Sequence, residues 1–463
     1  MDQEYLLPPS VRNWLPEGHL ALFVSDVVEA VDLSAIFESY AGSMSDRRGY
    51  APYHPGMMVK LLVYGYCTGK ISSRKIEAAT HGDIAFRVLA GDQHPDHSII
   101  AEFRKRHLKQ LSGLFLEVLQ LCEKAGLVTL GHVAIDGTKV LANASKHKAM
   151  SYERMVQTEE RLQKEVASLL EAAERADQAE DEIHGKGKRG DDLPAELARR
   201  NTRLKKIAEA KAALQAEAKE KAIRAVKDAE ARNEQRAQKE AEMGRKIPGP
   251  QPKAAPDPTL VEPDPKAQRN FTDPDSRIML DGATKAFVQA YNAQAAVDSE
   301  HQIIVAAVIT QEANDKNQLV PMLEKVKENT GKLPSAATAD AGYFSEENVN
   351  ASALESVELY VPPDRQQHGR GTAPVDAQAP DAQSTANKMR SKLNTEIGQE
   401  IYAKRKQIVE PVFGQTKEAR SFRRFSFRGL GKVSDEWIFI CLTHNLLKLF
   451  RAGGLAARTC LKK

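Results

Sequence analysis

The sequence of 463 residues is long enough for roughly two to four domains, with 41% hydrophobic and 28% charged residues to supply a packed core and a strongly solvated remainder. Its formal net charge of +3 favours no particular kind of partner, and its four cysteines form no CxxC pair that would indicate a structural zinc site. No apolar run reaches the ~20 residues of a membrane span, and the N-terminus lacks the pattern of a signal peptide. We therefore expect a soluble, cytoplasmic protein without a disulfide scaffold.

Residues 1–125 are predicted to form a helical domain. Apolar periodicity indicates three short helices, at 18–28, 33–37 and 55–63. Asp96 is placed to cap a further helix, which carries the basic run Arg104, Lys105 and Arg106. Several short helices with one basic helix suit a helix-turn-helix-like DNA-binding domain, but a plain helical bundle fits this segment equally well.

Residues 151–246 have a different composition, rich in both signs of charge and nearly free of aromatic residues. From Leu162 onward, apolar residues are spaced alternately by four and three, which is typical of a coiled-coil seam. The glycines of 185–190 would interrupt a helix. We predict a long antiparallel helical hairpin inserted into the chain and followed by a Pro-rich linker at 247–270. A disordered charged linker is the alternative.

The rest of the chain alternates strand and helix patterns, which predicts an α/β fold. Predicted strands lie at 132–135, 287–298, 302–309, 336–339 and 357–361. Predicted helices lie at 319–326, 345–355 and from 395 onward, with a polar loop at 364–393. The resulting core is split into residues 126–150 and 271–450, and a tail follows at 451–463.

Three acids lie where an α/β core would present a metal site. Asp136 and Asp340 each end a predicted strand, and Glu410 lies on the helix predicted for 402–420. Carboxylates on adjacent strand ends, closed by one from a helix, can hold two Mg²⁺ ions for phosphoryl transfer. Each acid alone is weak evidence, since an Asp before a Gly is more often a turn residue. Three other glutamates compete with Glu410: Glu346, Glu347 and Glu400.

Several short motifs occur in a distinctive order along the chain. They are Ala-Ile-Asp-Gly-Thr-Lys at 134–139, Thr-Ala-Asp-Ala-Gly-Tyr at 338–343, Val-Glu-Pro-Val-Phe-Gly-Gln-Thr-Lys at 409–417, Phe-Arg-Gly-Leu at 427–430 and Asn-Leu-Leu-Lys at 445–448. With these motifs, the chain resembles bacterial insertion-sequence transposases of the DDE class over about residues 15–150 and 270–450. The resemblance implies an RNase H-like mixed-sheet core and a catalytic, metal-binding triad of Asp136, Asp340 and Glu410. It also implies two Mg²⁺ ions, with Mn²⁺ as a substitute.

The resemblance also assigns phosphate contacts near the triad to Tyr402, Arg405 and Lys417. Arg405 precedes Glu410 by one position more than the commonest family spacing, so Lys406 is a rival for its role. Pro411 predicts that the helix starts or kinks there.

Basic residues elsewhere predict contacts to duplex DNA. Residues 401–463 contain 14 Lys/Arg and 4 Asp/Glu, a net charge of +10 (14 − 4). Within them, aromatics alternate with Arg423, Arg424 and Arg428, a composition that binds phosphate backbones. A solvated tail is the alternative for this segment. Lys139, which follows the first predicted strand, and the run 104–106 complete the predicted DNA-binding residues.

These features together predict a DNA transposase of the bacterial cytoplasm and nucleoid, with no membrane partner. As a homodimer, it would bind the terminal inverted repeats of its element, cleave the transposon ends and join them to target DNA. Two other classes remain open: a metal-dependent nuclease that cuts without joining, and a non-catalytic DNA-binding or bridging protein.

For Asn292 and Gln294, strand pairing is favoured over a role near DNA or metal.

Overall fold

The computed structural model describes residues 10–43, 52–184, 195–245, 257–282, 284–364 and 384–461. Backbone contacts divide the chain into two compact units. The first unit consists of Met1–Asn143 with Met279–Lys463, and the second of Ala144–Ile278. The N-terminal helices and the main sheet therefore belong to the same unit, into which the second unit is inserted along the chain.

Helices and strands are numbered in chain order over the described residues. The α-helices are α1 (Leu20–Ala30), α2 (Ser34–Ser43), α3 (Pro55–Cys67), α4 (Ser73–Gly82), α5 (Ile84–Ala90), α6 (His97–Lys124), α7 (Tyr152–His184), α8 (Ala195–Met243), α9 (Leu319–Thr330), α10 (Glu346–Val349), α11 (Thr385–Asn394), α12 (Glu396–Gly414) and α13 (Leu430–Leu461). The β-strands are β1 (His132–Leu141), β2 (Ala149–Ser151), β3 (Gln268–Asn270), β4 (Arg277–Leu280), β5 (Phe287–Asp298), β6 (Ile304–Thr310), β7 (Ala336–Thr338) and β8 (Glu358–Tyr360). The predicted α/β class is confirmed.

The main sheet has the strand order β4-β5-β1-β7-β8, and β6 also pairs with β5. β1 runs antiparallel to β5 and parallel to β7, while β6 is antiparallel to β5 and β8 is parallel to β7. β5 is buried along nearly its whole length, as expected for an inner strand that is covered on both faces. β1 is buried at Val133–Ile135 and at Val140, and it is partly exposed from Asp136 to Lys139.

Buried polar side chains fasten α13 to this sheet. Asn445 donates from Nδ2 to the carbonyl oxygen of Ile304 and accepts from the N–H of Ile304, each at 2.8 Å. Trp437 Nε1 donates to the carbonyl oxygen of Gln294 on β5 at 3.0 Å. Because buried polar groups need partners, these bonds fix the position of α13 along the strands as well as its rotation.

The N-terminal helices are joined to α13 in the same way. The hydroxyl of Tyr66, on α3, lies 3.2 Å from the carboxylate of Glu436 on α13 and donates to it. Both side chains are buried, and burial raises the pKa of Glu436. Aromatic packing of Tyr66 against Phe439 adds an apolar contact to the same junction.

The second unit combines helices α7 and α8 with the two-stranded sheet β2-β3. Its apolar cluster includes residues of the predicted seam and consists of Met155, Leu162, Ile207, Ala210 and Leu214. Glu159 pairs with Lys211 at 2.7 Å, and Glu165 pairs with Arg200 at 3.0 Å. Later residues of α7 thus pair with earlier residues of α8.

The sequence predicts the longer elements well and the shorter ones poorly. β5 coincides with the predicted strand 287–298, and Asp96 caps α6 by accepting from the N–H of Ser98 at 2.7 Å. No prediction covers α4 or α5, which are only 10 and 7 residues long. The loop predicted for 364–393 is wrong at its end, where α11 forms, while 365–383 lie outside the described residues.

The helix does not start at Pro411, which was one of the two predicted outcomes, because α12 passes through it and continues as a π-helix at Gln415–Ala419. A proline deprives the carbonyl four residues earlier of its helical partner. That carbonyl belongs to Gln407, and it accepts a hydrogen bond from Gln302 Nε2 at 2.8 Å.

Among the described helices, none has an apolar stretch of the length needed to cross a bilayer.

Replacing Asn445 by Leu should lower the free energy of unfolding by about 2–4 kcal/mol, because the buried N–H and carbonyl of Ile304 would both lose their partner. Urea denaturation followed by circular dichroism measures this loss. Lys432→Ala, at an exposed position of the same helix, is the matched control and should change stability by less than about 0.5 kcal/mol. Equal stability of Asn445→Leu and the wild type would contradict the anchoring role.

Candidate active site

Asp136 and Asp340 occupy matching positions on neighbouring strands. In the parallel pairing of β1 with β7, Ala134 lies opposite Thr338. Each aspartate follows its paired residue by two positions, and neighbouring strands are about 4.8 Å apart. The register of the sheet therefore brings the two predicted acids together.

Arg405 of α12 offsets part of this negative charge, with Nη1 at 3.2 Å from Oδ2 of Asp136. Burial raises the pKa of Asp136 to about 6; Arg405 opposes that rise, whereas the charges of Asp340 and Asp315 add to it. The pKa of Asp340 is also raised, again chiefly by burial. The site thus holds more negative charge than Arg405 balances.

Asp315, in the loop between β6 and α9, supplies a further carboxylate that the sequence analysis missed. Asn292 and Gln294 of β5 donate side-chain N–H groups to its Oδ1 at 2.6 and 2.7 Å. Lys139 Nζ lies 3.9 Å from the same oxygen. The only sequence signal was an acid in a polar loop shortly after a strand, since no fixed spacing connects it to Asp136.

The side chains that hold Asp315 belong to a larger buried network. The hydroxyl of Tyr343 donates to Oε1 of Gln294, and burial raises the pKa of Tyr343 well above its ordinary value. Asn292 is fully buried, yet its Oδ1 has no hydrogen-bond partner. Asn292 and Gln294 therefore do more than pair strands, which was the favoured interpretation of the sequence.

Gly137 makes room for this network. It lies opposite Gln294 in the pairing of β1 with β5. A Cβ atom at position 137 would come 2.2 Å from Gln294 Nε2 and 2.9 Å from Asp315 Oδ1. The glycine after Asp136 is thus explained by close packing inside a strand, and not by a turn.

α12 and the π-helix after it carry two of the predicted phosphate-binding cations. The guanidinium of Arg405 lies 5.9 Å from the ring of Tyr402, which is half-buried. Lys417 donates from Nζ to Oγ1 of Thr138 at 2.6 Å and to the carbonyl oxygen of Lys139 at 2.8 Å. Both helical segments are therefore fastened to β1 on the carboxyl-terminal side of its buried part.

Glu410 is exposed on α12 and makes no hydrogen bond or ion pair with another described residue. Asp136, Asp340 and Glu410 do not bring their oxygens within 4.8 Å of one another in the described part of the chain. The structure therefore brings Asp136 and Asp340 together, with Arg405 beside them, and leaves Glu410 apart. Lys406, the rival of Arg405, is exposed.

One other set of described residues does reach this spacing: Glu77, Asp96 and His97. Its members already have partners, since Asp96 caps α6 and His97 Nδ1 lies 3.0 Å from Glu77. Capping and pairing explain this set without a metal.

The basic C-terminal segment separates its aromatic from its cationic side chains. Phe422 and Phe425 are buried, whereas Arg423, Arg424 and Arg428 are exposed. The rings thus pack into the first unit, and the arginines lie at its surface, where Arg423 pairs with Glu418 and Arg428 Nε donates to the carbonyl oxygen of Asn143 at 2.9 Å. This segment is not a loose tail.

The basic run of α6 is divided by the helical period. Arg104 is buried and donates to the hydroxyl of Tyr66 at 3.1 Å and to the carbonyl oxygen of Ile71 at 2.8 Å. Lys105 and Arg106 are exposed. Arg104 therefore makes its hydrogen bonds inside the protein, and of the three residues only Lys105 and Arg106 face solvent.

The buried oxygens of the site suit a hard divalent cation such as Mg²⁺, which prefers carboxylate and carbonyl oxygens. Asp136 and Asp340 have raised pKa values because burial leaves their charge poorly compensated. Asn292 Oδ1 is a buried acceptor without a donor. These are the features that a bound cation would satisfy.

Two regions of the chain match known protein families. Residues 9–106 match the Transposase domain (DUF772), and residues 367–450 match the Transposase DDE domain. Both matches are to transposase domains, and together they support an insertion-sequence DDE transposase. No curated protein and no solved structure matches it. The second match contains Glu410 and Lys417, whereas Asp136 and Asp340 lie outside both matched regions.

These matches confirm the resemblance read from the sequence motifs. They indicate a transposase enzyme, and the Transposase DDE domain implies dependence on a divalent metal ion. Asp136 on β1 and Asp340 just after β7 are the candidate ligands for that ion.

The charge balance of the site predicts a pH-dependent effect of Arg405→Met. The native pKa of Asp136, about 6, is above its ordinary value of 3.8. The free energy of unfolding therefore falls as pH rises through that range and Asp136 ionises. Without the guanidinium, the pKa should rise further and the loss should continue to higher pH. We expect the variant to be destabilised by about 2–4 kcal/mol at alkaline pH and by clearly less at mildly acidic pH.

Thermal unfolding of both proteins across this pH range measures the difference. Lys406→Met removes a neighbouring but exposed cation and should show no such pH dependence. Equal destabilisation of Arg405→Met at every pH would mean that Arg405 acts by packing and not by its charge.

Proposed function

We propose that this transposase binds the terminal inverted repeats of its insertion sequence and catalyses DNA cleavage and strand transfer by two-metal phosphoryl transfer. The observation that carries the proposal is the convergence of Asp136 and Asp340 on paired strands, with raised pKa values and Arg405 beside them. An exposed pair of acids without compensation of this kind would carry no such weight.

The sheet supports an RNase H-like interpretation of the core. β5 pairs antiparallel with both β6 and β1, and β7 and β8 extend the sheet in parallel with β1. The first acid lies on the central strand β1 and the second follows the parallel strand β7. This is the order in which such a core presents its acids.

Asp136, Asp340 and Glu410 would hold two Mg²⁺ ions, with Mn²⁺ as a substitute, and Asp315 is added as a fourth carboxylate. When bound, the ions supply activation of the attacking oxygen and charge stabilisation of the leaving oxygen. Asn292 and Gln294 hold Asp315 in place through their hydrogen bonds. No Ser or Tyr nucleophile is proposed, because hydrolysis at the ends leaves a 3′-OH that can itself attack target DNA.

The cations near the acids would orient the DNA phosphate. Arg405 and Tyr402 lie on the α12 side of Asp136, while Lys139 and Lys417 lie along β1 beyond it. Burial lowers the pKa of both Lys139 and Lys417. A phosphate bound beside these ammonium groups would favour their charged form.

Duplex DNA would be held more widely by two exposed basic surfaces. One is formed by Arg423, Arg424 and Arg428, and the other by Lys105 and Arg106 of α6. A homodimer that pairs two transposon ends in the bacterial nucleoid is the proposed active form. The inserted unit would form an antiparallel coiled-coil hairpin, as its heptad spacing and ion pairs favour.

The isolation of Glu410 favours one second candidate, a non-catalytic DNA-binding or bridging protein. With Glu410 apart from Asp136 and Asp340, a two-metal site would lack one predicted ligand. A chain of this kind would bind transposon ends without cutting them.

End cleavage distinguishes these candidates. Purified protein, incubated with labelled duplexes from the sequences that flank its own gene, should nick and join them with Mg²⁺ and not with EDTA. Asp340→Asn should reduce the rate by at least about 100-fold, because a metal ligand is lost.

Glu355→Gln is the matched control, since it removes an exposed carboxylate close in sequence to Asp340 that was no candidate ligand. It should cleave like the wild type. Cleavage without joining would indicate a nuclease, specific binding without cleavage would favour the bridging protein, and equal cleavage by Asp340→Asn would show that the metal site is misplaced.

The fourth carboxylate predicts a binding defect that requires no turnover. Asp315→Asn keeps the size of the side chain but removes its charge, so Mn²⁺ should bind about 10- to 100-fold more weakly. Isothermal titration calorimetry with Mn²⁺ measures this affinity directly, with Glu355→Gln again as the control. Unchanged affinity in Asp315→Asn, beside a loss in Asp340→Asn, would limit Asp315 to positioning Lys139.

A further inference from the structure

The inserted unit contains a cavity of about 570 Å³ that is lined by cations and by no acid. Its charged lining consists of Lys148, Arg154, Arg199, Arg203 and Lys206, and His147 lies beside them. All of these residues belong to the second unit, and all are exposed. None of the predicted catalytic or DNA-binding residues takes part.

None of these five Lys and Arg side chains has a counter-charge among the described residues of the protein. The nearby acids of the unit pair with other cations: Glu165 with Arg200, Glu159 with Lys211, and Glu217 with Arg269 and Arg277. In the described part of the chain, the five Lys and Arg residues of the cavity make no ion pair. Like charges gathered in one cavity repel each other, so binding of an anionic ligand would relieve this repulsion.

The helical period arranges three of the cations in a row. Arg199, Arg203 and Lys206 are spaced at i, i+4 and i+7 on α8, which places them on one face of the helix. Seven residues of helix rise about 10 Å. One strand of duplex DNA carries a phosphate about every 3.4 Å along the helix axis, so the row spans roughly three phosphates.

The lining of the cavity favours a polymer backbone over a single small anion. Arg154 and Lys148 extend the charge from α8 to the start of α7 and the turn before β2. Three apolar side chains, Met150, Ile207 and Phe271, line the cavity together with the cations. A lining that combines cations with apolar groups can receive the phosphates and the sugar edge of a nucleic acid strand together.

We propose that this cavity binds the phosphate backbone of duplex DNA, so that the inserted unit is itself a DNA-binding element. The inference rests on the proposed function only for the identity of the polymer, since it uses none of the catalytic residues. It gives the insertion a function, which neither its heptad spacing nor its balanced composition reveals.

Salt dependence of DNA binding tests the proposal. The full-length triple variant Arg199→Ala, Arg203→Ala and Lys206→Ala would be titrated against a labelled duplex by fluorescence anisotropy over a series of salt concentrations. Each lost phosphate contact lowers the slope of log affinity against log salt by about 0.9, so the slope should fall by about 2–3. Affinity at physiological salt should fall about 100-fold.

The matched control removes three exposed lysines of the same helix that do not line the cavity: Lys219, Lys221 and Lys227. Replacing them by Ala should leave the slope unchanged, and thermal melting of both triple variants should match the wild type. An unchanged slope in the cavity variant, or equal losses in both variants, would overturn the proposal.

Two further results separate this proposal from the catalytic one. Wild-type cleavage of the ends together with an unchanged slope in the cavity variant would leave the transposase mechanism standing and remove only the cavity site. Absence of salt-dependent DNA binding by the wild type would overturn both. Loss of polyglutamate binding in place of DNA binding would assign the cavity to an acidic peptide.

Discussion

The repulsion among Asp136, Asp340 and Asp315 is the constraint around which the first unit is built. Parallel pairing of β1 with β7 sets the first two acids side by side, and hydrogen bonds from β5 hold the third. Arg405 and Lys139 offset this charge only in part, since the pKa values of Asp136 and Asp340 stay raised. Folding must therefore stabilise an arrangement that its own charges oppose, as functional sites commonly require.

The contacts that offset this repulsion join the sheet to α13. α13 is tied to β6 by Asn445 and to β5 by Trp437, and the N-terminal helices are tied to α13 through Tyr66. β5 takes part in both systems, because its backbone accepts from Trp437 while its side chains hold Asp315. A shift of β5 would disturb the anchor and the acids at once, which explains why the helical segment and the sheet form a single compact unit.

Local patterns predicted the parts of this arrangement that depend on the nearby sequence. The strands that carry Asp136 and Asp340, the cap at Asp96 and the apolar spacing from Leu162 were all readable without a structure. Asp315 was not, because its place in the site depends on β5 side chains about 20 residues away and on the absence of a side chain at Gly137. Neighbouring residues such as Arg104 and Lys105 were likewise inseparable by composition, since only tertiary packing decides which one is buried.

The same limit applies to charge in the inserted unit, where the numbers of acids and cations nearly cancel. Composition indicates a neutral, solvated segment. Glu159, Glu165 and Glu217, however, form ion pairs with other cations, and the cations that line the cavity have no ion-pair partner among the described residues. Segregation of this kind arises only when two helices distant in sequence pack together. Net charge is thus a poor guide to nucleic-acid binding in this chain, because what a phosphate meets is the local surplus created by the fold.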